Sequence, residues 1–496
     1  MKSGENLRVA VVGGGISGLA AAFWLRENCP NVEVKVFEKR SRLGGVLNTE
    51  IRDGFEIEQS ADNFITTMPW GLDLCKRIGL EDDIVTTSPN FRQTFVVWRN
   101  RLHKLPDGFM MMAPTKWLPM AFTPLLSIRG KIRAAMEYFL PPKKGDEDES
   151  LENFAVRRLG REAFEKLIEP LVSGVYAADM SRLSLAATLP RFRQMEKEYG
   201  SLIRAMRAAR RKTNAGTNCS QSGPRYGLFV TIRGGLKRII DQIARKLPPE
   251  SVHLETSVTS LKSVPEGWRV AYSSASCDPG ADEKCETFDA VILAAESHND
   301  ARLAESANLP QLAHLLDGID HTGTVVMTAA FKRSQIKHPL DGMGAVVAGV
   351  EKSPILALSF SNQKYPHRAP EGYSLIRIFS GGYRNPEVVD MPEEEMRALL
   401  LEKTASMLRI EGEPTLVTTS RWARTMPQFH LGHLERMAQI EAELAHLPSL
   451  ALAGNSFTGV GIPQCVHSGE LAAQKIARLV GVEIDAESEN HESKTT

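Results

Sequence analysis

Residues 9–18 read VAVVGGGISG, and the strand that follows them closes on Glu38. Val9 to Val12 is a short apolar run without a polar break, which suits a strand buried on both faces. Gly13, Gly15 and Gly18 then give G-x-G-x-x-G. The first glycine lets the chain turn tightly, the second lets backbone approach a pyrophosphate, and the third lets a helix over Ser17 to Arg26 pack close to the sheet. Around Gly14, Ile16 and Ser17 the helix N-terminus offers free N–H donors and a positive dipole end to phosphate. Val32 to Phe37 reads as the next strand. Glu38 lies about 20 residues beyond Gly18, where an acid binds ribose hydroxyls.

A lone glycine fingerprint is weak evidence, because glycines also serve ordinary turns. Here strand, loop, helix, strand and acid stand in register, so the stretch predicts a dinucleotide site. Two features select FAD over NAD. The site opens the chain, and EKRSRLGG follows at 38–45. Arg42 can reach a phosphate, and Gly44 and Gly45 permit close backbone approach to a bulky cofactor.

The chain has 496 residues, too many for one ordinary core, so two or three structural units are expected. Basic and acidic residues balance at 60 each, which gives no support for a nucleic-acid partner. The cysteines Cys29, Cys75, Cys219, Cys277, Cys285 and Cys465 are scattered without a C-x-x-C pair, so neither a zinc site nor a disulfide framework is expected. The N-terminal apolar run passes straight into the glycine loop and belongs to the fold, not to a signal peptide. Phe109 to Ile128 is the most apolar stretch, but Lys116, Pro114, Pro119 and Pro124 interrupt it. It reads as buried or ligand-lining, with dipping into a membrane surface as the alternative.

The pattern predicts a mixed α/β chain. A discontinuous Rossmann-like FAD domain spans 1–90, 225–300 and 440–485, and a mostly helical insertion spans 91–224. A substrate domain at 301–439 is built on an antiparallel sheet, from the alternating runs TVVMTAAF, GAVVAGV, ILALSF and YSLIRIFS. Helices are expected over Lys131 to Leu140 and Leu151 to Ile168, the latter capped by Ser150. Residues 209–224 read as a linker and 486–496 as a disordered tail. FDAVILAAE at 288–296 reads as one buried strand returning to the cofactor sheet. In AGNSFTGVGIP, Gly459 and Gly461 leave bare backbone, and Pro463 starts the last helix without a lost donor.

With these residues in place, the chain resembles the FAD-dependent porphyrinogen oxidases of haem biosynthesis, within the flavin amine oxidase superfamily. The family comprises oxygen-dependent protoporphyrinogen oxidases and bacterial coproporphyrinogen III oxidases. The specific motifs are RGKIRAAMEYFLPP at 129–142, LIEPLVSGVYAADMSRLSL at 167–185, RWARTMPQFHLGH at 421–433 and AGNSFTGVGIPQCVHSGELAA at 453–473. The resemblance implies FAD with Val460, Gly461 and Ile462 at the flavin pyrimidine, Val258 at the adenine and Trp422 near the ring; a core tryptophan is the equal alternative for Trp422. It places Ala61 and Asp62 beside the flavin. Glu58, Asp62 and Phe64 keep the family pattern there, while Ser60 and Ala61 stand where the family has Gly-Pro.

The resemblance also places substrate over Gly174, where a missing side chain admits a flat macrocycle; a helix C-cap is the competing reading of this glycine. It implies oxidation of a porphyrinogen by six electrons over three flavin cycles, with dioxygen as acceptor and hydrogen peroxide as product. Coproporphyrinogen III is favoured and protoporphyrinogen IX is the alternative. Arg92 and Arg99, with Arg101, Lys104 and Lys116 around the expected pocket entrance, are candidates for the propionates, with solvated surface charge as the default reading of each. No catalytic acid or base is assigned. His103, His430 and His433 read as structural or exposed. A flavin amine oxidase and a non-catalytic escort protein of the GDP dissociation inhibitor type are more distant alternatives. The expected location is the cytoplasm, with at most peripheral membrane contact. A homodimer or contact with other haem-biosynthesis enzymes stays open.

Overall fold

The structure is a computed structural model that describes residues 7–114, 116–215, 228–274 and 283–482. Its organising element is a five-stranded parallel sheet, ordered Val252–His253, Val32–Phe37, Leu7–Val12, Ala290–Leu293, Leu450–Leu452. Leu7–Val12 lies at its centre and is buried almost throughout, as its unbroken apolar run requires. The Ile16–Asn28 helix and the C-terminal Ile462–Ala477 helix pack together on one face, through Ser17, Ala20 and Ala21 against Gly469. A Cβ at Gly469 would stand 2.2 Å from the Ser17 carbonyl oxygen, so this close approach requires glycine. The other face is covered by Thr256–Val264, Gly267–Ser274 and Lys284–Phe288, a small antiparallel sheet, and by the helices Ser297–Ser306 and Pro310–Asp317.

A second sheet has seven strands in the order Leu416–Pro427, His321–Lys332, Tyr373–Gly381, Ile355–Phe360, Gly344–Val347, Thr94–Trp98, Arg101–Lys104. All its pairs are antiparallel except Gly344–Val347 with Thr94–Trp98. The alternating runs beyond residue 321 thus form one sheet, and residues 94–104 extend it.

Several expected elements differ in detail. The helix expected over Leu151 to Ile168 ends at Leu159, because Gly160 takes φ +90° and a Cβ there would meet Arg133. After it come a short turn, a π-helical turn at Phe164–Ile168 and the helix Glu169–Tyr176. Ser150 does cap the first of these, accepting from the Asn153 amide at 3.2 Å. The run at 288–296 is not one strand. Phe288 ends the small antiparallel sheet, and only Ala290–Leu293 enters the parallel one. Residues 209–215, expected as linker, complete the helix Leu202–Ala215. The rest of the linker and the tail at 486–496 lie outside the described residues.

Candidate cofactor and substrate site

At the carboxyl edge of the parallel sheet the predicted fingerprint residues converge. A Cβ at Gly13 would stand 2.5 Å from the Ala294 carbonyl oxygen, and one at Gly18 would stand 2.0 Å from the Gly13 carbonyl oxygen. Both glycines are therefore demanded by the fold itself. Gly15 differs: a Cβ there meets nothing within 4 Å. It borders open space at the start of the Ile16–Asn28 helix, whose N-terminus no side chain caps. Free N–H donors and an unfilled cradle fit a pyrophosphate. The Glu38 carboxylate accepts from the Gly14 amide at 2.9 Å and the Arg40 amide at 2.8 Å. Glu38 is buried against the strand pair that carries Val258, through Thr256 N–H donating to the Glu38 carbonyl at 2.9 Å.

The loop after the second strand lies against the first. Gly44 N–H donates to the Gly14 carbonyl at 2.8 Å, and a Cβ at Gly45 would stand 3.3 Å from Gly15 Cα. Arg42 turns inward on this loop. Its guanidinium donates to the carbonyls of Leu43 at 3.1 Å and Gly45 at 2.9 Å. Burial, with Arg40 adding to it, lowers its pKa from the ordinary value. Arg42 thus shapes the glycine loop, whatever else it reaches.

The turn at 459–461 leads into the Ile462–Ala477 helix, with Gly461 as N-cap, Pro463 in its first turn and no side-chain cap. A second helix N-terminus is therefore open, the arrangement expected for a polar ring edge. Val460, Leu171, Tyr176 and Val346 pack against one apolar cluster, which joins this turn to the helix carrying Gly174.

Trp422 is 8 % exposed and donates its indole N–H to the Gln59 carbonyl at 2.8 Å. Beyond Gln59, residues 60–62 are held by two buried arginines and the half-buried Lys364. Arg377 donates to the Ser60 carbonyl, Arg368 to the Asp62 carbonyl at 2.8 Å, and Lys364 to the Asp62 carboxylate at 3.0 Å. Burial alone would raise the Asp62 pKa, but Lys364, Arg377 and Arg368 outweigh it and hold the carboxyl well below its usual range. The sequence did not single out these cations. Their acidic partners lie some 300 residues away, and a charge in an alternating strand ordinarily faces solvent.

Cross-strand register puts Trp422, Val326, Phe379, Ala357 and Val346 on one face of the seven-stranded sheet. Val346 is 3.5 Å from where a Cβ on Gly174 would stand, so Gly174 lies over this face and is itself exposed. Gly174 is not a helix C-cap. The helix runs on to Tyr176 and is capped by Ala177 in the left-handed conformation, φ +49°. Phe379 and Val346 became visible as site residues only through this pairing.

Arg92 and Arg99 flank the same strand, Thr94–Trp98, at opposite ends. Both are exposed, and Arg99 stacks on Trp98 with its guanidinium carbon 4.4 Å from the ring centre. The five residues of that strand alone span roughly 16 Å. The three histidines considered for proton transfer are engaged elsewhere. His103 bonds the Trp98 carbonyl at 3.1 Å, His430 lies 3.2 Å from Asp320, and His433 bonds the Phe457 carbonyl at 2.9 Å while stacking on Phe429. Among the described residues there is no cluster of metal-ligating side chains.

A glycine cradle with the Glu38 carboxylate bonded into it and two open helix N-termini at one sheet edge fit a flavin-type oxidoreductase. The chain belongs to the flavin containing amine oxidoreductase family, which it matches over residues 16–477, and it is an FAD-dependent oxidoreductase. It is 34 % identical over 478 residues to the coproporphyrinogen III oxidase of Bacillus subtilis (strain 168), covering 95 % of this chain and 98 % of that protein. It is 28 % identical over 488 residues to protoporphyrinogen oxidase 2 of Arabidopsis thaliana, covering 95 % and 93 %. A crystal structure from Exiguobacterium sp. 255-15, assigned provisionally as a protoporphyrinogen oxidase, superposes with a TM-score of 0.83 at 29 % identity, covering 97 % of this chain and all of that one. UDP-galactopyranose mutase shares the fold at 14 % identity, with a TM-score of 0.70 over 96 % of this chain and 95 % of that one.

Proposed function

We propose that this enzyme oxidises coproporphyrinogen III to coproporphyrin III. The observation that carries the reading is the end-to-end match to a coproporphyrinogen III oxidase, stronger than the match to the protoporphyrinogen oxidases. The site supports it. Gly174 stands exposed over the face carrying Phe379, Val346 and Val326, an apolar surface suited to a flat macrocycle and to excluding water. When bound, the flavin supplies two-electron oxidation and reaction with dioxygen. Three turnovers remove six electrons and six protons from the porphyrinogen, and three dioxygen molecules become three hydrogen peroxide. The chain's residues orient the ring and hold the cofactor; none is assigned a proton.

The test is aerobic incubation of the flavin-loaded protein with coproporphyrinogen III, following porphyrin fluorescence and peroxide together. Porphyrin formed with about three peroxides per ring supports the reading. Oxidation of simple amines, with no porphyrin formed, would replace it.

For location, no described helix is long and apolar enough to cross a membrane. An apolar stripe is nonetheless exposed beside the substrate helix. Leu118 and Phe122 are 73 % and 81 % exposed, and Ile128, Ile132 and Phe139 are 77 %, 59 % and 79 % exposed. The preferred reading of 109–128 as buried or ligand-lining holds only for part of it; Phe109, Met112, Met120 and Leu125 are buried, but Leu118, Phe122 and Ile128 are exposed. Such a stripe supports peripheral contact with a membrane surface.

A further inference from the structure

Three donors from the seven-stranded sheet and the segment beside it draw one short piece of backbone away from the cofactor domain. Trp422 holds the Gln59 carbonyl, Arg377 the Ser60 carbonyl and Arg368 the Asp62 carbonyl. Arg377 and Arg368 are 1 % and 0 % exposed. A buried guanidinium is costly unless paired and hydrogen-bonded, so a charge at this depth is kept by what it contacts. Arg368 also lies 3.4 Å from both Glu56 and Glu58, and it serves the wider core. Arg377 is more specialised. Its contacts are the Ser60 carbonyl, the Asp62 carboxylate at 3.3 Å and the ring of Phe379. It stands two residues before Phe379, on the same face of the sheet.

Ser60 and Ala61 lack the fixed φ of a proline, so the hydrogen bonds made to the segment decide its path. Gln59 N–H donates to the Asn48 carbonyl at 2.9 Å, and the carbonyls of Ser60 and Asp62 are held from the other side by Arg377 and Arg368.

We propose that Arg377 is a positioning residue for the cofactor: by fixing the Ser60 carbonyl it sets the backbone of residues 59–62 where that backbone borders the flavin. The inference rests on the reading of this segment as flavin-bordering. Removing Arg377 leaves Asp62 paired with Lys364 at 3.0 Å and Arg368 at 3.5 Å, so no carboxylate is orphaned.

The experiment titrates FAD into apoprotein of the native chain, R377K, R377M and I376V, with thermal melts of each apoprotein. Ile376 points to the opposite, buried face, so I376V reports loss of packing alone. R377M should weaken FAD binding about tenfold or more and alter the visible flavin band, the scale of a lost charge-assisted hydrogen bond. R377K, which can still donate to the Ser60 carbonyl, should return to within about threefold of native. I376V should lower the melting temperature without changing FAD affinity. Should R377M fail to fold, R377Q takes its place, being polar but too short to reach the carbonyl. Native affinity and spectrum in R377M, or equal losses in R377M and R377K, would overturn the role of Arg377. Native apoprotein that takes up no FAD would instead overturn the cofactor reading on which it rests.

Discussion

The Gly14 amide donates to the Glu38 carboxylate at 2.9 Å, so the glycine turn and the acid after the second strand form one hydrogen-bonded unit. E38A frees the loop and, on the reading of Glu38 as the acid that meets the ribose, removes an acceptor from the cofactor. FAD affinity should fall about ten- to a hundredfold, equivalent to roughly 1.5–3 kcal/mol for a hydrogen bond to a charged group. E38Q keeps an oxygen for Gly14 and should lose less. Fluorescence titration of the two apoproteins would reveal a misplaced ribose if their affinities were native.

Gly15 separates cofactor binding from folding. Its backbone has φ −72° and ψ 175°, which valine adopts without strain, and a Cβ there meets open space. G15V should purify without flavin, yet its apoprotein should melt within about 2 °C of the native apoprotein. G18V, by contrast, drives a side chain into the Gly13 carbonyl and should not fold. Flavin retained at native stoichiometry by G15V would mean that the pyrophosphate lies elsewhere.

Gly13 and Gly18 were readable from sequence because the backbone geometry there excludes a side chain, and Gly15 by its place in the G-x-G-x-x-G spacing. The capping Ser150 and the apolar central strand were readable from local pattern. What sequence could not supply was long-range pairing. Thr94–Trp98 joins the large sheet beside Gly344–Val347, some 250 residues later, and nothing local announces that partner. Arg377 sits in the run YSLIRIFS, where alternation does not reveal that both faces are covered. The break at Gly160 was hidden because apolar spacing continues through it, although the backbone turns left-handed there. In the candidate site, the phosphate end could be read from spacing, whereas Phe379 and Val346 required the register of four strands.

Two half-buried imidazoles make stability depend on pH. Burial lowers the pKa of His321 and of His467, each to about 4. His467 stacks flat on Trp70 at 3.9 Å. Folded values below the unfolded value near 6.5 mean that the unfolded chain binds the protons first. Their contribution is whole above about pH 6.5 and is lost as pH falls from there towards 4. The slope should reach at most about 1 kcal/mol per pH unit for each ring, after solvent screening. Urea unfolding of the apoprotein between pH 7 and pH 4.5 should show it, and H321N/H467N should flatten it. An unchanged slope in the double variant would place the titration in other groups.

Phe122 and Phe139 are so exposed that serine at both should leave stability within about 0.5 kcal/mol of native. If the stripe meets a membrane, F122S/F139S should reduce co-sedimentation with phospholipid vesicles by about tenfold, since each ring buries substantial apolar area on contact. Native protein that never sediments with vesicles would remove this contact from the account.

The central claim is tested most directly by kcat/KM for coproporphyrinogen III and protoporphyrinogen IX, measured side by side under air on one preparation with full FAD content. The first carries four propionates and the second two, so a site with cationic partners for the larger set favours the first. The account predicts a preference for coproporphyrinogen III of about tenfold or more, the scale of one charge-assisted hydrogen bond, with peroxide formed in step with porphyrin. A clear preference for protoporphyrinogen IX would contradict it and assign the same fold and cofactor to the other substrate.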